Sequence, residues 1–195
     1  MYLYLVRHGQ SEGNVVRTFH GQTDYPLTEK GREQARQAAD KLRDIPFSRC
    51  LSSDLSRARD TAAVCVAGRA VEVELCPALR EQDVGEMEGL SWDEMGERFP
   101  GLREQYLSDW YSTLPPGGEH PQAMMDRVSA LVDGLLLRGE DVLLVGHFGS
   151  FGLILERLGL VERGKNFDPE FIFTQGTYSA IRIEDGRAEL ICFNR

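Results

Sequence analysis

The sequence predicts an α/β protein, a three-layer α/β/α sandwich on a mostly parallel sheet. Three observations carry this. Strand-like and helix-like patterns alternate along most of the chain, in the order strand, helix, strand, helix, strand, helices, strand, helix, hairpin. The run Val142 to Val145 is apolar at every position. Asp185-Gly186 separates two alternating runs near the C-terminus, which is a strong hairpin signal.

Tyr2 to Val6, rich in aromatic and branched residues, reads as a buried first strand. Arg7 to Pro26, with its glycines and proline, reads as a loop. Thr28 is a helix N-cap candidate. Ala35, Ala38, Ala39 and Leu42 then form one small apolar stripe at helical spacing. Arg49 to Leu51 is a short strand. A second helix runs from near Asp54 to Gly68, with Ala58, Ala62, Cys65 and Val66 on one face. Val71, Val73 and Leu75 alternate with glutamates, as in a half-exposed strand.

Further on, Ser91 and Glu94 make a capping-box pattern for a short helix that ends before Pro100. Leu114 to His120 is a loop containing Pro115, Pro116, Gly117 and Gly118. Met124, Val128, Leu131, Val132 and Leu135 mark a longer amphipathic helix stopped near Gly139. After the strand at Val142 to Val145, a helix spans about Ser150 to Leu158, with Gly159 at its end. Tyr178 to Glu184 and Ala188 to Phe193 are the arms of the hairpin. There is no repeat or linker, so residues 1–195 read as a single domain, with a lid-like insertion at about 82–120.

A chain of 195 residues can bury a sizeable core. No stretch has the length of a membrane span, and the apolar start stops at Arg7, too short for a signal-peptide core. Cys50, Cys65, Cys76 and Cys192 form no C-x-x-C pair, and each lies in an apolar run. The expectation is free thiols in a reducing, cytoplasmic setting with no membrane partner. The net charge of −9 repels a phosphate backbone and argues against nucleic acid. An anionic substrate would need a local arginine cluster held against that field.

Ligands of such sheets sit outside the carboxyl ends of the strands. Arg7-His8-Gly9-Gln10-Ser11 follows the first predicted strand, with Asn14 close behind. Ser52 to Ala58 follows the second and carries Arg57. Leu79-Arg80-Glu81 follows the third, and Gly146-His147 follows the apolar strand. Taken singly, these residues read as solvated or structural. Together, His8, His147, Arg7, Arg57 and Glu81 would bring two imidazoles, two guanidinium groups and a carboxyl to one surface.

These segments resemble the histidine phosphatases, also called the phosphoglycerate mutase-like superfamily. Arg7-His8-Gly9 is similar to the family signature. Gly21 to Gly31 resembles the segment entering the family's first helix, and Ser52 to Ala62 its S-S-x-L-x-R-A-x-x-T-A run. Leu79-Arg80-Glu81, with Gly85 and Glu88-Gly89, looks like the acid-bearing loop. Pro115 to Glu119 is similar to the P-P-G-G-E loop of the smaller phosphatase branch, and Val145-Gly146-His147 resembles the second histidine motif. One departure is that Phe148, Gly149, Ser150 and Phe151 follow His147, where two glycines or Gly-Asn and then a basic residue are common.

The resemblance implies a metal-independent phosphomonoester hydrolase that needs no cofactor. It implies His8 as nucleophile, and a neutral imidazole can attack phosphorus in line to give a phosphohistidine. Arg7 and Arg57 would clamp the equatorial oxygens through planar, charge-assisted bonds. His147 would donate to the same oxygens, most usefully as an imidazolium. Glu81 would be the general acid, its pKa raised by the substrate dianion and by partial burial. Asn14, Gln10, Ser11, His20, Gly21 and Phe148 are the expected phosphate- and substrate-binding residues. Glu119 and His120 sit where they could touch the leaving group, with loop solvation the favoured reading and their role left open.

Within the resemblance, a mutase must hold bisphosphates. The segment between Gln82 and His120 carries nine acidic residues and two arginines, Arg98 and Arg103, a poor balance for that task. It also offers Trp92, Phe99, Tyr106, Trp110 and Tyr111, some of which could line a pocket for a ring-bearing substrate. The expected substrate is therefore a small phosphomonoester such as phosphoserine or α-ribazole phosphate, and homodimer formation is left open. The alternatives are mutase-type transfer and a non-catalytic phospho-ligand binder. Gly159 to Lys165 nearly matches Walker A spacing, but Asn166 replaces the required Ser or Thr, and a helix rather than a strand precedes it.

Overall fold

A computed structural model describes residues 1–165 and 169–195. Among the described residues, six strands form one sheet: β1 (Tyr2–Arg7), β2 (Arg49–Ser52), β3 (Val73–Leu75), β4 (Val142–Gly146), β5 (Ser179–Glu184) and β6 (Arg187–Cys192). Their order is β3-β2-β4-β1-β5-β6. The first four pair in parallel, and β5 pairs antiparallel with both β1 and β6. The mostly parallel sheet predicted from the alternation of elements is thus the one observed.

β1 and β4 lie inside the sheet, and each feeds both faces. Leu3, Leu5, Val142 and Leu144 join one core with Met124, Val128 and Val132 of α6 (Pro121–Arg138) and Phe151 and Ile154 of α7 (Phe148–Arg157). Tyr4, Val6, Leu143 and Val145 join the other, with Ala38 and Leu42 of α2 (Glu29–Leu42) and Ala58 and Ala62 of α3 (Ser56–Val66). This is why Val142 to Val145 has no polar alternation: a strand covered on both sides has no solvent face. Each fully buried leucine in these cores contributes roughly 1.5–3 kcal/mol of burial free energy.

The local signals also hold. Thr28 caps α2 by accepting Gly31 N–H at 3.0 Å. Ser91 and Glu94 form a complete capping box on α4 (Trp92–Arg98). Gly139 ends α6 with φ 67°, and Asp185 and Gly186 turn the hairpin at φ 49° and 73°. Two helices depart from expectation. The stretch read as a loop from Arg7 to Pro26 contains α1 (Glu12–Val16), held by a capping box between Ser11 and Asn14. Residues Leu102–Ser108 form α5, which starts at Gly101 without a side-chain cap.

Residues 82–120 hold α4 and α5 and pack a small core of their own around Val84, Met87, Met95 and Leu102. All four cysteines are free thiols. Cys50 and Cys65 are buried, while Cys76 and Cys192 are only half-buried, less than their apolar neighbours implied. Among the described residues, no helix is long and apolar enough to cross a membrane. The Walker-like run follows α7, a helix, and its Asn166 lies outside the described residues.

Candidate active site

Register places the site. Arg7 pairs with Gly146 and Ser52 with Val145, so β1, β2 and β4 end at one level. The ladder then runs one residue further: His8 N–H donates to Gly146 O at 3.0 Å and Ser53 N–H to Val145 O at 2.9 Å. His8, Ser53 and His147 therefore emerge side by side. The two imidazole centroids lie 4.9 Å apart.

His8 is 3% exposed. Its Nδ1 lies 2.7 Å from Gly9 O, and a carbonyl only accepts, so Nδ1 carries the proton. Burial above all, then the Arg57 and Arg7 charges, hold this imidazole well below its usual pKa. The ring is neutral, which leaves the lone pair on Nε2. His147 is likewise pushed well down, by burial first and then by His8, Arg57 and Arg7. Before a phosphate dianion binds, this environment disfavours the imidazolium at His147. Its Nε2 meets Ser53 Oγ at 2.9 Å, and its Nδ1 is buried with no hydrogen-bond partner among the described residues.

Arg57, at 0% exposure, is the largest fully buried side chain among the described residues. It donates to Thr23 O at 2.9 Å and Gly21 O at 2.7 Å, fastening the segment before α2 across the site. Arg7 donates to Phe173 O at 3.0 Å and lies 5.6 Å from the Phe148 ring centroid. Burial lowers both guanidinium groups from their usual value while Glu81 opposes it, and both remain charged. The Nε of each is buried without a partner among the described residues. Buried nitrogens without partners are rare, and here Arg7, Arg57 and His147 each carry one and line the same cavity as His8.

Glu81 completes the ring of charges. Its Oε2 accepts from Gly149 N–H at 3.0 Å and its Oε1 from Gln82 N–H at 3.1 Å. A cavity of about 230 Å³ is lined by Arg7, His8, Arg57, Glu81, His147 and Phe148, with Asn14 and His20 also on its wall. The structure thus brings together all five residues expected to be catalytic, and three of the six expected to bind.

Asn14 lines the cavity and also holds the loop, while Gln10, Ser11 and Gly21 take other places. Asn14 Oδ1 accepts from Ser11 N–H, Ser11 Oγ–H and Gln175, while its Nδ2 donates to His20 Nε2 at 2.9 Å. Its amide holds the loop and His20. Gln10 bonds to Gln34 and Thr28, and Ser11 is fully buried at the start of α1; neither lines the cavity. Gly21 acts through its carbonyl, and a Cβ there would meet Gln82 O at 1.8 Å. Glu119 is not solvated: it forms an ion pair with Arg127 at 2.7 Å. His120 caps α6 through Gln122 N–H at 3.0 Å.

A second cavity of about 670 Å³ adjoins the first and shares Phe19, Glu81, Val84 and Phe148 with it. Trp92, Tyr106, Leu107, Trp110 and Tyr111 line the rest, so the aromatic residues of the 82–120 segment, apart from Phe99, face this space.

A parallel sheet whose strand ends gather two imidazoles, two arginines and a carboxylate defines a phosphoryl-transfer enzyme class. The family model for the histidine phosphatase superfamily, branch 1, matches residues 3–195, and the chain belongs to that family. It is 35% identical to an adenosylcobalamin/alpha-ribazole phosphatase of Salmonella typhimurium, over all of this chain and 96% of the relative. A "Probable phosphoglycerate mutase GpmB" of Salmonella choleraesuis is 34% identical over 81% of this chain and 74% of its own length. The crystal structure of the alpha-ribazole phosphatase from Shigella flexneri superposes with a TM-score of 0.93 at 30% identity, covering 100% of this chain and 96% of that one.

Proposed function

We propose that the chain hydrolyses a small phosphomonoester with a flat, weakly charged leaving group, of the kind its α-ribazole phosphatase relatives are named for. One observation carries the choice of leaving group. The 670 Å³ aromatic cavity opens from the 230 Å³ cavity through a shared wall formed by Glu81 and Phe148. A phosphoryl group beside His8 would project its ester oxygen past Glu81 into that space. Phosphoserine would leave most of it unfilled, and the acidic residues of segment 82–120 disfavour a bisphosphate.

In this reading His8 Nε2 attacks phosphorus in line as the P–O bond to the leaving group breaks. The electron pair departs on oxygen, and Glu81 supplies the proton. Arg7, Arg57 and His147 hold the equatorial oxygens through the transition state. Water then attacks the phosphohistidine and gives its proton to the now ionised Glu81. The P–N bond breaks, its pair returns to Nε2, and inorganic phosphate leaves.

The test is a rate panel of α-ribazole 5′-phosphate, phosphoserine, phenyl phosphate and 3-phosphoglycerate, the last assayed for mutase turnover. The ring-bearing esters should have the highest kcat/KM, and labelling quenched in alkaline detergent, which preserves the P–N bond, should trap phosphate on the wild-type protein but not on His8→Ala. Faster phosphoserine turnover would overturn the choice of leaving group. Label retained by His8→Ala would overturn the nucleophile.

A further inference from the structure

α6 was read above as an amphipathic helix from its apolar positions alone. Between Met124 and Val128 it carries Arg127, whose side chain reaches the acid loop. All five of its N–H donors are used. Nε donates to Glu119 Oε1 at 2.7 Å and one Nη2 hydrogen to Glu119 Oε2 at 2.9 Å. Nη1 donates to the carbonyls of Ala78 at 2.7 Å and Arg80 at 2.9 Å. The second Nη2 hydrogen donates to the carbonyl of Glu81 itself at 3.1 Å. The fork thus grips three carbonyls within four consecutive residues, ending at Glu81. Glu119, at 17% side-chain exposure, holds the fork in plane.

We propose that Arg127 is a positioning residue for proton transfer, fixing the backbone at Glu81 so that its carboxyl meets the leaving-group oxygen; this rests on the reading of Glu81 as the general acid. Both carboxylate oxygens of Glu81 accept backbone N–H groups, one from Gln82 and one from Gly149 of α7. That aim is only as firm as the backbone behind it. Arg80 cannot supply the firmness, because its side chain is committed to Asp54 at 2.7 Å and Gln22 at 3.0 Å. Gln22 adds a single bond to Glu81 O at 3.2 Å. The clamp also reaches the aromatic cavity: Gln82 donates to Glu119 O at 2.9 Å and accepts from Trp110 Nε1 at 3.1 Å. A lysine offers three donors on a point charge and cannot reproduce a planar fork over three carbonyls.

Phenyl phosphate, whose phenol leaves reluctantly, is compared with 2,4-dinitrophenyl phosphate, which needs no proton. The constant read is kcat/KM, which reports formation of the phosphoenzyme. Arg127→Ala should lower it about 10-fold or more on phenyl phosphate, a part of the roughly 100-fold to 10,000-fold that general-acid catalysis supplies. On the dinitrophenyl ester the change should stay below about threefold. Arg127→Lys should fall between wild type and Arg127→Ala. The ratio of the two constants is independent of how much protein is folded, so partial unfolding cannot mimic the result. An unchanged ratio overturns the inference. Glu81→Gln runs beside these variants. If it shows leaving-group selectivity and Arg127→Ala does not, only the clamp fails; if it shows none, the acid reading falls and the clamp with it.

Discussion

Glu81 Oε2 accepts the backbone N–H of Gly149 at 3.0 Å, so the carboxylate of one loop caps the first turn of the helix that follows His147. Gly149 makes this possible: a Cβ there would lie 2.2 Å from Glu81 Oε1. Gly149→Ala should therefore displace the carboxylate and lower turnover of phenyl phosphate by about 10-fold or more, if Glu81 is the proton donor. Helix propensity itself favours alanine by up to about 1 kcal/mol. Thermal denaturation should show little loss of stability beside the drop in rate. A variant that keeps wild-type turnover would show that this contact does not aim the acid.

Ser53 sets the proton on the second histidine. Its Oγ accepts from Leu55 N–H at 3.3 Å and meets His147 Nε2 at 2.9 Å. Only if the hydroxyl donates to Nε2 are both of its contacts hydrogen bonds with its own proton used, which leaves the ring proton on Nδ1. Nitrogen NMR of labelled protein should find His147 in the Nδ1–H form. In Ser53→Ala the tautomers should mix, and inorganic phosphate should bind about 3-fold to 10-fold more weakly, the scale of one lost hydrogen bond. An Nε2–H spectrum in the wild type would refute the assignment.

The elements and residues that were legible in the sequence share a local cause. β1 and β4 declare themselves by unbroken apolar runs, α2 and α4 by caps three residues from their partners, and the hairpin by Asp185-Gly186. α1 and α5 did not, because helices of five and seven residues are too short to show a period. His8, Arg57, Glu81 and His147 were legible because each sits at a strand end or at the start of the segment that follows. Asn14 was legible as a cavity residue, but its bond to Gln175 was not, because that partner is 161 residues away. The charge of His147 depends on burial beside His8, Arg57 and Arg7, which no local pattern encodes. Arg127 was overlooked because only the apolar face of its helix carries a periodic signal.

The buried neutral histidines also make stability depend on pH. His8 and His147 are held well below the usual imidazole value, and His20 is lowered, chiefly by burial. In the unfolded chain each titrates near about 6.5. Below that pH the unfolded state binds more protons than the native one, so stability rises with pH and is lost as pH falls through the unfolded value. Each histidine still neutral in the native state adds a slope of up to about 1.4 kcal/mol per pH unit. Urea denaturation should find stability flat above about pH 7 and falling below about 6.5. His147→Gln should flatten that fall. A profile level down to pH 5 would show that these rings are not neutral in the fold.

Leu107 protrudes from α5 at 71% exposure, yet it lines the aromatic cavity. An exposed apolar residue of this kind does little for stability, and a substitution here should change it by only about 0.5 kcal/mol. If the cavity receives a ring, Leu107→Asp places a charge against that ring, in a segment that is already acidic. The contact is far from the reacting phosphorus and should be equally strong in the ground and transition states, so KM should change and kcat should not. For α-ribazole 5′-phosphate, KM should rise about 5-fold, or ~1 kcal/mol, the scale of partial apolar burial. For phosphoserine, which is too small to reach α5, KM should stay within about twofold, which makes it an internal control. Equal KM for the ring substrate in wild type and variant would remove this cavity from the substrate's path.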